Sequence, residues 1–213
     1  MRVILCPHYD DGLLSLPDLL LVATQPPRLV VIFSEEDPAL AAVCEAQYRR
    51  LGLPSQCLGL PEARRRGVEV RQILRSRRAV EDCSQDPLVE QVAVRLADLV
   101  PASAEILVPL CGVHLDHVLV RLAAERLCSQ MVWPSLTFYL DEPYATVWPA
   151  AGERARQGLD PLGAEPAAAC QAVESLLAPL APFVGQRDLA RLARGRAARN
   201  GAAPSLWRTP LDR

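Results

Sequence analysis

Residues 2–11 read Arg-Val-Ile-Leu-Cys-Pro-His-Tyr-Asp-Asp: an unbroken apolar run from Val3 to Cys6 passes directly into a polar cluster. A short continuous apolar run closed by a turn residue is how a strand buried on both faces reads. The same figure recurs where Ile106 to Leu110 (ILVPL) leads into a stretch holding His114 and His117. Leu29 to Phe33 (LVVIF) and Gln56 to Leu60 (QCLGL) are two more such runs, and Val132 to Leu140, interrupted by Pro134, reads as a further strand. Helical patterns lie between them. Asp37-Pro38 offers an N-cap and a first-turn proline, after which Leu40, Val43, Cys44, Tyr48 and Leu51 recur at helical spacing until Gly52. Asp86-Pro87 repeats the device ahead of Leu88, Val89, Val92, Leu96 and Leu99, and a third helix is expected from His117 to Cys128. This alternation predicts an α/β fold, a Rossmann-like three-layer sandwich with a mostly parallel sheet and helices on both faces.

Further along, Trp148 to Pro166 turns to Gly, Pro, Ala and charge, which reads either as a loop over a site at the sheet edge or as a plain connection. Ala167 to Leu180 and Arg187 to Arg199 read as helices, and the tail is rich in Arg and Ala. With no internal repeat and no linker, residues 1–213 are expected to form a single domain.

The 213 residues are 50 % apolar and 23 % charged with a formal net charge of −2, a balance that suits a soluble globular chain and excludes disorder. No excess of positive charge exists to attract nucleic acid or an anionic membrane surface. Every basic residue is Arg. Schiff-base catalysis and a P-loop lysine are therefore excluded. The 7 cysteines are odd in number and form no CxxC pair, so neither a disulfide framework nor a zinc ribbon is indicated. The apolar stretch before Pro7 is too short for a signal-peptide core or a membrane span, and a cytoplasmic location with reduced thiols is expected.

All 3 histidines fall in two clusters that follow apolar runs directly: Pro7-His8-Tyr9-Asp10-Asp11 and His114-Leu115-Asp116-His117. In an open parallel sheet the carboxyl ends of strands are where ligands bind, so the two clusters could meet in space. Neutral imidazole and carboxylate suit Zn²⁺, and a catalytic zinc site uses three protein ligands with one position open to water. His8, Asp11 and one histidine of the second cluster would supply such a set, with Asp10 left as a base. The competing reading is that Asp10-Asp11 caps the following helix. A first turn needs only one cap, and two carboxylates facing three imidazoles favour the metal. The signatures GxGxxG, HExxH and GxSxG do not occur where dinucleotide binding, zincins or α/β-hydrolases would need them. Cys6 and Cys111 lie close to the clusters, but a cysteine ending a buried strand reads as a small core residue.

These two clusters, with Leu14-Ser15 behind the first and Gly112-Val113 ahead of the second, resemble the paired signature motifs of the PIG-L (LmbE-like) family of zinc-dependent N-deacetylases, most of all its bacterial glycosyltransferase-associated branch. Leu58-Gly59-Leu60-Pro61-Glu62 and Phe138-Tyr139-Leu140-Asp141-Glu142-Pro143-Tyr144-Ala145 add weaker likeness, and the whole covers most of residues 1–145. The resemblance implies that His8, Asp11 and His117 bind Zn²⁺ or another divalent metal and that Asp10 is the general base. It implies further that a protonated His114 stabilises the oxyanion and returns a proton to the leaving amine, while Asp116 orients an imidazole. The chain departs from the family in two places, Tyr9 for the usual Pro and Gly12 for the usual Glu.

The implied reaction is removal of an acetyl group from an N-acetylamino sugar, of the N-acetylglucosamine glycoconjugate type, by zinc-activated water. Hydrolysis of another amide or ester, or a catalytically impaired binding module in a glycan pathway, are the alternatives. The implied partner is a small-molecule or glycoconjugate substrate. Glu62 with Arg64, Arg65 and Arg66 could bind sugar hydroxyls or an anionic group, or form a solvated loop; Tyr144 could approach the site or serve its turn; Trp148 and Trp207 could stack on a sugar or cover the core.

Overall fold

The computed structural model describes residues 1–74, 83–110, 113–130, 132–133, 135–147, 158–162, 168–199 and 206–208, with backbone alone for 193–199. Its strands are β1 (Arg2–Cys6), β2 (Arg28–Val31), β3 (Ser55–Cys57), β4 (Glu105–Pro109), β5 (Leu136–Tyr139), β6 (Asp160–Pro161) and β7 (Leu206–Arg208), in the order β3-β2-β1-β4-β5-β7-β6. From β3 to β5 the pairing is parallel, whereas β7 runs antiparallel to both β5 and β6. The helices are α1 (Asp11–Ser15), α2 (Pro17–Val22), α3 (Pro38–Arg50), α4 (Val70–Ile73), α5 (Pro87–Leu99), α6 (Leu115–Ser129), α7 (Tyr144–Val147), α8 (Cys170–Leu177), α9 (Ala181–Val184) and α10 (Gln186–Arg199).

Alternation along the central strands builds two cores. Val3, Leu5, Val30, Ile106 and Val108 pack to one side with Val92 and Leu96 of α5 and Leu119 and Ala123 of α6. Ile4, Cys6, Leu29, Val31 and Leu107 pack to the other with Leu13, Leu19, Cys44, Tyr48 and Leu176 from α1, α2, α3 and α8. Successive side chains of a strand point to opposite faces, so a strand apolar at every position requires helices on both sides, and the three-layer expectation is met.

The two Asp-Pro devices work as expected: the Ala39 N–H donates to Asp37 Oδ1 at 2.8 Å and the Leu88 N–H to Asp86 Oδ1 at 2.9 Å. Gly52, with φ of +66°, follows α3 in the left-handed region that a side chain disfavours. Several boundaries differ from expectation. α6 starts at Leu115 rather than His117, because His114 takes the cap position. The run to Phe33 leaves β2 at Val31, yet the Ile32 and Phe33 N–H groups donate to Cys6 and Pro7 C=O at 2.9 Å each, tying it to the exit of β1. Likewise the strand of the QCLGL run ends at Cys57, though the Leu58 and Leu60 N–H groups still donate to the Val31 and Ile32 C=O at 2.9 and 3.3 Å, and of the described residues between Val132 and Leu140 those in strand are the ones of β5.

Asp160–Pro161 corrects the expectation of a loop from Trp148 to Pro166, since it forms the edge strand β6; residues 148–157 and 163–167, Trp148 among them, lie outside the described residues, as do Cys111, Gly112 and Pro134. β7 arises in the Arg- and Ala-rich tail, where no strand was expected. The helix expected from Ala167 to Leu180 is α8, followed by a 3₁₀ turn at Ala178–Leu180 and then α9, as Pro179 and Pro182 interrupt the α-helical ladder.

β1 and β4 are neighbours, but the chain leaves β1 toward β2 and leaves β4 toward β5. The loops after them therefore diverge and open a crevice at the carboxyl ends of the strands. Both histidine clusters sit there. Among the described residues no helix is long and apolar enough to cross a membrane.

Candidate metal centre

The loop after β1 is closed by its own carboxylate: the His8 N–H donates to Asp11 Oδ2 at 2.6 Å. Asp10 occupies the cap position of α1 through its backbone, and its side chain makes no capping bond. Capping therefore does not account for the Asp pair. Across the crevice, His114 caps α6 with its ring, Nδ1 accepting the Asp116 N–H at 3.2 Å. That bond makes Nδ1 the acceptor and leaves the proton of the neutral ring on Nε2.

The three imidazoles converge. Ring centroids lie 4.9 Å apart for His8 and His114, 5.4 Å for His8 and His117, and 5.3 Å for His114 and His117. One ligating atom from each histidine lies within 4.8 Å of the others, and the same holds for His8, Asp10 and Asp11. His117 Nε2 stands 3.2 Å from Asp11 Oδ1, buried and without a hydrogen-bond partner. A buried ring nitrogen left without a hydrogen bond beside a carboxylate oxygen is costly unless a cation joins them. Imidazole nitrogen and carboxylate oxygen are the donor types that a borderline divalent ion takes, so the residues fit a metal.

Carboxylates behind two of the rings fix which nitrogen faces the centre. Asp116 Oδ2 lies 3.0 Å from His8 Nε2, which leaves Nδ1 turned toward Asp11 Oδ2 at 3.4 Å. Asp141 Oδ2 lies 2.9 Å from His117 Nδ1, which leaves Nε2 turned toward Asp11. Both carboxylates are themselves held: Asp116 accepts from the Ala63 N–H at 3.0 Å and Arg66 Nη2 at 2.6 Å, and Asp141 accepts from the Leu110 N–H at 3.1 Å. Outer partners of this kind set ring orientation and ligand basicity in metal sites.

The electrostatics favour a positive charge at this point. Burial opposes the charged form of His117, but Asp11 and Asp141 outweigh it and raise its pKa to about 9. At His8 burial acts the same way, and Asp11 and Asp116 again prevail, so its pKa is raised. Asp11 stays ionised because His117 and His8 overcome its desolvation, whereas burial and the adjacent Asp11 charge push Asp10 up to about 6. At His114 the pull of Asp116 and Asp11 is outweighed. Burial and the neighbouring imidazoles press it down to about 2, which favours the neutral ring over the protonated one.

The residues expected to touch substrate separate. Arg66 is committed inward: besides Asp116 it donates to the Pro61 C=O at 2.7 Å, and its guanidinium lies 4.8 Å above the Phe33 ring. Arg65 donates to the Glu36 C=O at 2.6 Å and, with Ser34, Glu35 and Glu45, lines a surface cavity of about 420 Å³. The Tyr144 ring stands 5.1 Å from that of His117 and 5.8 Å from that of His114. Glu62 opens a turn in which its C=O accepts the Arg66 N–H at 3.0 Å. Cys6 and Trp207 are buried in the two cores, in keeping with a core role for each.

Two residues given no role in the sequence reading belong to this region, Asp141 and Glu36. Glu36 Oε1 accepts the Tyr9 N–H at 3.1 Å, and burial pushes its pKa up to about 7. Each follows an apolar run closely, Glu36 in Ser34-Glu35-Glu36-Asp37 after Phe33 and Asp141 after Leu140. The rule that drew attention to the histidines, polar residues straight after an apolar run, would have found both.

No protein-family model matches the sequence, and no curated protein does. Among solved structures, the zinc-inhibited form of the teicoplanin deacetylase Orf2 shares the fold, with a TM-score of 0.63, 17 % identity and coverage of 98 % of this chain and 97 % of that one. A deacetylase of teicoplanin biosynthesis in complex with teicoplanin gives 0.58 at 15 % identity, covering 98 % of this chain and 97 % of that one. The A40926 pseudoaglycone deacetylase Dbv21 gives 0.58 at 18 % identity, covering 97 % of this chain and 95 % of that one. At such identities the likeness is one of fold, and the chemistry has to be argued from the site.

Proposed function

We propose that the protein is a metal-dependent hydrolase that removes an acetyl group from an N-acetylamino sugar, as in an N-acetylglucosamine-type glycoconjugate. The observation that carries this reading is His117 Nε2, buried without a hydrogen bond and facing Asp11 at a point where His8 and His114 also converge. Fold neighbours that act as deacetylases support the reaction class.

In this reading His8, Asp11 and His117 hold the ion, with zinc the divalent cation best suited to the donor set. When bound, such a cation polarises a carbonyl oxygen and acidifies water. Asp10, adjacent to Asp11 and unused as a cap, takes the proton of the attacking water. His114 presents its Nε2–H to the carbonyl oxygen as negative charge develops there; its Nδ1 bond to the Asp116 N–H holds the ring in that tautomer. Asp116 and Asp141 are positioning residues for His8 and His117, and Arg66 serves by holding Asp116 rather than by binding substrate. Glu62, Arg65 and Tyr144 are assigned to the substrate.

The test is acetate release from N-acetylglucosamine derivatives by protein of measured zinc content. Stoichiometric metal with acetate release that chelation abolishes and zinc restores is the expected result. Metal bound with no amide or ester hydrolysed across a broad panel would favour a binding module instead.

A further inference from the structure

We infer that Tyr48 is a positioning residue for this metal centre: its hydroxyl, in the room left beside Gly12, holds the backbone between His8 and Asp10 in its ligating shape. The inference rests on the metal reading above and adds to it a residue from a helix that carries no ligand.

Tyr48 lies on α3, wholly buried, and its hydroxyl donates to the Tyr9 C=O. A buried phenol hydroxyl needs a partner, and this one belongs to the single residue separating His8 from Asp10. Glycine at position 12 leaves room for this approach. A Cβ there would stand 2.9 Å from Leu29 Cδ2 and 3.2 Å from both Cys6 Sγ and Tyr48 Oη, tighter than ordinary contact.

The remaining polar groups of Tyr9 are held from the same side. Its N–H donates to Glu36 Oε1 at 3.1 Å, and its phenol donates to Glu45 Oε1 at 3.2 Å and lies 3.0 Å from Cys57 Sγ. Residue 9 is therefore clamped by α3, the turn entering it and β3, while its neighbours His8 and Asp10 belong to the group whose ligating atoms converge. Loosening the clamp should widen the spread of His8 and Asp11 without removing a ligand.

Tyr48→Phe keeps the ring in the core and removes only the hydroxyl. Its zinc affinity would be measured by chelator competition, its Co²⁺ form by visible absorption, which reports ligand geometry, and its metal-free fold by thermal unfolding in EDTA. Zinc affinity about tenfold weaker with an altered Co²⁺ spectrum is expected, the size of effect usual for an outer-shell partner. Affinity within about twofold of the parent, well short of that effect, and an unchanged spectrum would overturn the inference even if the metal-free protein melted earlier, since a core residue alone does that. Gly12→Ala, whose methyl group presses on Leu29 and Cys6 as well as on the hydroxyl, carries the same expectation should Tyr48→Phe fail to fold. If the parent protein binds no metal, both this inference and the functional reading fall; if it binds zinc and both variants bind it equally, only this inference does.

Discussion

Asp10 and Asp11 are chain neighbours with different tasks. Asp11 lies between the His8 and His117 rings and also closes the loop through the His8 N–H, so its charge is used in three directions. Asp10 is left without a capping bond. Asp10→Asn should keep the proposed metal yet slow the proposed deacetylation by at least about 100-fold, the usual cost of losing a general base. His117→Ala removes a proposed ligand, and the zinc content of the purified protein, read by atomic absorption, should fall well below one per chain. The contrast between these two variants separates chemistry from metal retention. Metal-depleted Asp10→Asn, or zinc-replete His117→Ala, would require the roles to be reassigned.

Helix α3 links local sequence to the site. Asp37 caps it, Pro38 starts it, and its buried Cys44 and Tyr48 lock it onto the face of the sheet that also carries α1. Removing the cap with Asp37→Ala should cost about 1 kcal/mol of stability by urea unfolding, typical of a lost N-cap. Zinc affinity should be unchanged, because Tyr48 stays packed about three turns away. Helix α6 shows the opposite economy, since its cap is a site residue: His114 closes the first turn and faces the crevice at once. Sequence periodicity started that helix at His117, two residues late, because imidazole is not among the favoured capping side chains. Element β7 was missed for a different reason. Three residues carry no readable period, and what makes Leu206–Arg208 a strand is its position between β5 and β6.

For the whole molecule, the crevice exists because the chain turns opposite ways from β1 and β4, so that His8 and Asp116, 108 positions apart, become neighbours. If a divalent ion joins the loops on either side, it binds the folded state and not the unfolded chain. Zinc at about 100 times its Kd should then add about 2.7 kcal/mol of stability. For a chain of this length that is ~5–10 °C in Tm, lost on adding EDTA and recovered with zinc. An identical melting curve with and without chelator would contradict the metal centre.

What the sequence by itself determined is local. Unbroken apolar runs mean strands covered on both faces, Asp-Pro pairs mean helix starts, and polar residues crowded straight after a strand mean a site. Those patterns sufficed for the three layers, because burial and capping are decided within a few residues of chain, and they singled out His8, Asp10, Asp11, His114 and His117, which the structure brings to one crevice. Tertiary structure alone decided which nitrogen of each ring faces the centre, that Asp141 stands behind His117, that Arg66 turns inward to Asp116, and that Tyr48 reaches the backbone beside Gly12. Each of these is a contact between groups distant in sequence, whose partners are selected by the way the layers pack rather than by any pattern along the chain.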